Sequence, residues 1–305
     1  MELSEKTFSS QANFHLAGII PIAGQPLEYG MPYPDCLLPI APDYTMIEAA
    51  VVEAAFAGCD TIWIVCNDDL APIVRYRVGD YIQDPIHFYN KFDARPTERR
   101  KRIPIFWVPL HPKDRDKRDC LSWSVLHGAV TALKVSDKIS KWLIPDKYYV
   151  SFPYGIIDPR KLSKVRKLIK NKKNFYLVSN GETVQDNNYL SFTFGKEEFI
   201  IYRRNIRKGT GMYTSEEFNE WGAPTSKLPI EERWSARFFQ PKDVFVGVDT
   251  EAGHKHPVDS FYNLECWESY REYMQSDLSS STQRPTKELF AYREFNSLAK
   301  DRDYL

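Results

Sequence analysis

Apolar residues fall in short blocks along this chain, and the period within each block predicts its element. Residues 14–22 form an almost continuous apolar run closed by Pro21 and Gly24, which predicts a buried strand leading into a loop. That loop, 24–43, is rich in Pro and Gly and holds the apolar island Leu37-Leu38-Pro39-Ile40. Over 44–58 the positions Met46, Ile47, Ala50, Val51, Ala54 and Ala55 return at helical spacing, with Gly58 placed to cap the C-terminus. Residues 61–66 are a β-branched run of buried-strand type. Strand, loop, helix and strand in this order open a βαβ unit, so a parallel sheet is expected.

The alternation continues with helices over 70–82, 121–135 and 159–169, and strands over 103–110, 147–152 and 175–178. Segments 189–194 and 198–203 alternate about Gly195-Lys196 and predict a β-hairpin. A late strand is expected at 244–248 and a late helix at 265–274. The Ser/Thr-rich stretch 279–285 reads as a linker. The chain therefore divides into one domain over 1–278 and a tail over 279–305, whose segment 288–298 is expected to dock back. The fold class is α/β: a single domain with a mixed, mainly parallel sheet flanked by helices.

Composition narrows the function classes. Of the 305 residues 43% are hydrophobic and 27% charged, enough to build a sizeable core in a soluble chain. The net charge is +0, so the overall balance favours neither nucleic acid nor a membrane surface as partner. The basic run Arg99-Arg100-Lys101-Arg102 precedes an apolar strand and reads as a solvated gatekeeper, with a phosphate-contacting loop as the alternative. The five cysteines show no CxxC spacing, which suits a reducing compartment. The polar N-terminus does not resemble a signal peptide, and no apolar run has the length of a membrane span, so the cytoplasm is expected. His254 and His256, with Asp249, Glu251 and Asp259 nearby, form a candidate metal cluster, against which an exposed loop with solvated histidines is favoured.

Several segments, in order, resemble the sugar-phosphate nucleotidyltransferases (nucleotide-sugar pyrophosphorylases) of GT-A-like fold. Pro21-Ile-Ala-Gly24 is similar to the strand that opens their glycine-rich loop, and Tyr33-Pro-Asp-Cys-Leu-Leu-Pro-Ile40 to their P-K-P-L-L-P-I/V element. Gly128-Ala-Val-Thr-Ala-Leu133 resembles the G-A-V/L-x-x-A helix start near base and sugar. Gly209-Thr-Gly-Met-Tyr213 resembles the A-G-I/M-Y strand, and Asn263-Leu-Glu-Cys-Trp-Glu-Ser-Tyr270 the late D-I-D-T-x-E-D-Y element.

The resemblance implies a reaction joining an NTP to a sugar 1-phosphate with Mg²⁺, the ligand being a nucleotide or nucleotide sugar. It implies nucleotide contacts at Ala23, Gly24, Gln25, His127 and Gly128, sugar contacts at Gly211 and Tyr213, and catalytic carboxylates at Asp35, Asp158 and Glu265. Metal ligands would be Asp158, Asn263 and Glu265, since hard cations take oxygen ligands. Asp158 precedes Pro159, so an N-cap is the favoured reading there. Glu265 reads equally well as a favourable charge at a helix start.

The chain also departs from the pattern. The family loop G-G-x-G-T-R is replaced by Ala23-Gly-Gln-Pro-Leu-Glu28, without its Arg, and the Lys of P-K-P is Asp35. A carboxylate facing a triphosphate without metal repels it. Two further readings follow: a catalytically inactive binding or structural protein on the same fold, and a glycosyltransferase that uses a nucleotide sugar as donor.

Overall fold

A computed structural model describes residues 14–24, 29–89, 102–110, 120–209, 239–286 and 289–290. In chain order, strand β1 (Leu16–Pro21) is followed by the short pair β2 (Pro39–Ala41) and β3 (Tyr44–Thr45), helix α1 (Met46–Ala57), β4 (Thr61–Cys66) and α2 (Ala71–Val78). Next come β5 (Tyr81–Gln83), α3 (Pro85–Tyr89), β6 (Arg102–Pro109), α4 (Leu121–Ile139), β7 (Lys147–Val150), β8 (Gly155–Ile156), α5 (Leu162–Ile169) and β9 (Phe175–Val178). The remaining elements are β10 (Phe192–Phe194), α6 (Lys196–Gly209), α7 (Pro241–Val244), β11 (His254–Pro257), β12 (Tyr262–Asn263), α8 (Trp267–Met274) and α9 (Asp277–Ser281). Among the described residues an eight-stranded sheet runs in the order β11-β9-β10-β7-β1-β4-β6-β5. Only β10 and β5 run against the other strands, as the antiparallel pairings β10–β7, β10–β9 and β5–β6 show. The expected mixed, mainly parallel sheet flanked by helices is what the chain forms.

The central strands β1, β4 and β7 are buried along their whole lengths, which is why their sequences, apart from Thr61 and Lys147 at the starts of β4 and β7, show no polar alternation. Successive residues of β1 still face opposite sides. Gly18 faces α1, where an added Cβ would lie 3.3 Å from the Ala54 Cβ and 3.0 Å from the Cys59 Sγ. Ile19, next along, faces Gly128 of α4. Helices α1 and α4 therefore cover opposite faces of the sheet.

Four departures from the sequence reading have local causes. Residues 198–203, expected as a strand, lie in α6. Phe199, Tyr202 and Ile206 recur at helical spacing, the Gly195 amide donates to Glu198 Oε2 at 2.8 Å, and Arg207 and Lys208 sit at the C-terminal end of the dipole. Residues 244–248 are no strand: Gln240 and Pro241 start the short helix α7, which ends at Val244 with Phe245 buried behind it. The helix expected over 70–82 stops at Val78, because Gly79 takes φ +82 and lets the chain turn into β5. Residues 254–257, expected as a solvated loop, add strand β11 beside β9, and the His256 ring stacks on Phe175 with centroids 6.2 Å apart.

Residues 279–286 and 289–290, within the stretch read as linker and tail, make contacts with the rest of the chain. Arg284, whose side chain is 9% exposed, donates from Nη2 to Glu48 Oε1 at 2.7 Å and is ion-paired with Asp43 through Nη1. Glu48 also receives Arg77 Nε at 2.9 Å and the Thr45 amide at 3.0 Å, closing the first turn of α1. Leu289 and Phe290 are buried, and Phe290 forms an antiparallel bridge with Ile82 of β5. Removing one partner of a buried ion network leaves charge unpaired. Arg284→Ala is therefore expected to destabilise the chain by about 2–3 kcal/mol, checked by urea unfolding, with Arg77 retaining part of the network.

One buried carboxyl sits between α1 and the sheet. Glu53 accepts hydrogen bonds from Tyr149 Oη at 2.7 Å and from Ser191 Oγ. Burial pushes its pKa up from 4.5 to about 7, with these hydrogen bonds opposing the rise. Between those two values the unfolded chain releases a proton that the folded chain keeps, so raising the pH favours unfolding. Stability is expected to fall by roughly 3 kcal/mol as pH rises from about 4.5 to 7, and Glu53→Gln to flatten that slope in chemical-denaturation midpoints.

Candidate ligand site at the sheet edge

In open α/β sheets ligands collect beyond the carboxyl ends of the parallel strands. Here that edge is built by the exits of β1, β4, β6 and β7 and by the N-terminus of α4. As the chain leaves β1, the Ile22 and Ala23 amides both donate to Val65 O at 2.9 Å. The Ala23 carbonyl accepts from Ser124 Oγ of α4. The Ala23 amide and carbonyl are thus both engaged within the fold, and Gly24, half-buried, follows it. Gln25 lies outside the described residues, as do Gly211 and Tyr213.

Asp35 opens a single 3-10 turn and is buried beside Cys36. Burial, helped by the Asp35 charge, pushes the Cys36 thiol up to about 12. The buried Tyr154 phenol is raised by burial and then by Cys36, Asp35 and Tyr189. Tyr189, its ring centroid 5.7 Å from that of Tyr154, is raised by burial and then by Glu265 and by Cys120, the N-cap of α4. Asp35 thus acts electrostatically on one member of this tyrosine pair and Glu265 on the other. Asn263 Oδ1 accepts the Tyr189 amide at 3.2 Å, and its Nδ2 donates to Glu265 Oε1 at 2.9 Å. Asn263 positions Tyr189 and Glu265, and its carbonyl oxygen is already in use.

Asp158 does not join them. It caps the turn Pro159–Lys161 by accepting the Arg160 amide at 3.1 Å, and Arg160 grips both carboxylate oxygens at 2.9 and 3.1 Å. It lines a different hollow, on the α1 face, with Val52 and Phe56. The N-cap reading of Asp158 holds. Among the described residues no group of three or more His, Cys, Asp or Glu could hold a metal ion, His254 and His256 included.

His127 and Gly128 have packing reasons for being where they are. His127 Nε2 lies 3.1 Å from Pro109 O and ties α4 to the end of β6. A Cβ on Gly128 would lie 2.7 Å from Val65 Cγ2 and 2.9 Å from Ile19 Cγ2, so the glycine lets α4 lie close on the sheet. Arg102, the described end of the basic run, starts β6 at the opposite edge and sits 4.7 Å from the Tyr81 ring centroid. Arg99, Arg100 and Lys101 lie outside the described residues.

The sequence reading passed over Asn67, Ser122, Ser124, Tyr154 and Tyr189. Asn67 Oδ1, just past β4, and Ser122 Oγ, in the first turn of α4, are buried with no hydrogen-bond partner among the described residues. Two serines in the otherwise apolar opening of α4 were the available signal.

No family model matches the sequence, and no curated protein matches it. Among solved structures, the chain is similar to a Bacillus anthracis protein assigned as a glucose-1-phosphate thymidylyltransferase, crystallised with a sucrose. The two are 10% identical, with 89% of this chain and 98% of that one covered and a TM-score of 0.51. A UDP-glucose pyrophosphorylase complexed with UDP-glucose aligns at 15% identity over 85% of this chain and 97% of that one, with a TM-score of 0.45. The first likeness shows that the chain has a nucleotidyltransferase-like fold. Among the described residues no helix is long and apolar enough to cross a membrane.

Gly128→Ala drives a methyl into Ile19 and Val65. It is expected to cost about 1–3 kcal/mol in thermal or chemical unfolding, as overpacked cores do.

Proposed function

We propose that this chain binds a nucleotide or nucleotide sugar at the carboxyl edge of its sheet, between Gly24, the first turn of α4 and the Tyr154–Tyr189 pair. The observation that carries the reading is the pair of buried polar atoms, Asn67 Oδ1 and Ser122 Oγ, without partners among the described residues at the edge where such folds take ligands. The protein sharing the fold is named for glucose 1-phosphate and a thymidylyl group, which suggests the ligand class.

The chemistry of the rim favours binding over pyrophosphate-releasing synthesis. Asp35 and Glu265 act electrostatically on the tyrosine pair, and Asp68 and Asp69 on Cys66 at the end of β4. Transfer to a sugar phosphate needs cationic groups on the leaving phosphates, and Asp35 stands where the resemblance places a lysine. Mg²⁺ is commonly held by one or two carboxylates together with substrate phosphates. Glu265 is the carboxylate of the expected trio placed to contribute, and the ion would neutralise phosphate charge beside it.

Isothermal titration with UTP, dTTP and UDP-glucose, with and without Mg²⁺, tests the reading. Nucleotide-sugar binding that strengthens with Mg²⁺ is expected, with Glu265→Gln losing the metal-dependent part. Pyrophosphate release from NTP and glucose 1-phosphate is expected to stay at background. Absence of heat with every ligand at millimolar concentration would remove the nucleotide reading and leave a structural role on the same fold.

A further inference from the structure

A hollow lies away from the sheet edge. It has a volume of about 880 Å³ and sits on the outer flank of α1, walled by α3, the start of α5 and the segment 278–286. None of Gly24, Asp35, Asn67, Ser122 or Glu265 lines it. The floor is apolar: Tyr44, Val52, Phe56 and Pro85 are all buried, and the Tyr89 ring, 49% exposed, stands at the side. Small-molecule sites combine such a floor with a few polar groups that fix orientation, in volumes of roughly 300–1,000 Å³.

The charges on the wall decide what those polar groups select. Arg284 is spent on Glu48 and Asp43, and Arg160 on both oxygens of Asp158. Lys164 carries no ion pair among the described residues. Among the described residues the wall therefore offers one uncompensated positive charge, Lys164, above an apolar floor. The walls are also fixed in place, since Arg284 pins the 278–286 segment to the first turn of α1.

We propose that this hollow is a second ligand site, taking a small molecule with an aromatic or acyl body and one anionic group. The body lies on Val52 and Phe56, and a carboxylate, sulfonate or phosphodiester pairs with Lys164. The site is independent of the nucleotide reading, because the two share no residue.

Fluorescence titration of the full chain with anilinonaphthalene sulfonate, a monoanionic aryl probe, tests this. Phenylnaphthylamine, the same rings without the sulfonate, serves as the charge control. One sulfonate probe per chain is expected, weakened about fivefold or more by Lys164→Glu, while the neutral probe is indifferent to that change. Ser163→Trp, which fills the hollow from its wall, is expected to abolish binding of both. Sulfonate binding at undiminished strength in Lys164→Glu overturns the proposal, as does failure of the wild-type chain to bind one equivalent. Should Ser163→Trp not fold, as judged by its thermal melt, the Lys164→Glu comparison decides alone, because that side chain is exposed.

Discussion

The close approach of two helices to strand β1 is the constraint on which the rest depends. Gly18 admits α1 on one face, and Gly128 admits α4 on the other, with methyl groups of Ala54, Ile19 and Val65 at contact distance. Interiors packed at crystal density have no slack to absorb a displacement at such a point. The exit of β1 and the start of α4 are consequently fixed against each other, and Ser124 Oγ joins them at the Ala23 carbonyl. What stands at the carboxyl edge inherits its position from that contact.

The described residues give the carboxyl edge a definite chemical character. Its described groups are carboxylates, phenols raised by burial and thiols held protonated, with Asn263 acting as a brace between Tyr189 and Glu265. The packing that fixes the edge is separate from the few polar side chains that stand on it. Fold and chemistry can part in this way because the first rests on packing and the second on a few side chains.

Residues 279–286 close over the first turn of α1. Glu48 caps α1, and the two guanidiniums that neutralise it come from α2 and from Arg284, more than two hundred positions further on. A fully buried carboxylate is tolerated only when paired, so the first turn of α1 requires the segment that closes over it. The same closure walls the hollow on the α1 flank.

The central elements were legible in the sequence because burial on both faces writes itself as unbroken apolar runs, as in Thr61–Cys66, and helix α1 as apolar spacing ended by Gly58. The N-cap at Asp158 was legible for the same local reason: Pro159 follows it. Short edge elements were not, since strand β11 (His-Lys-His-Pro) exists through pairing with β9, and the α6 segment has an alternation that two turns of helix also satisfy. Which candidate carboxylates meet was also beyond the sequence. Asp35 and Glu265 act on the two members of one tyrosine pair while Asp158 lines the hollow beside α1, because strand order and the face each crossover takes set such neighbours. Residue identity fixed the local elements and their caps; long-range packing alone decided which side chains share a site.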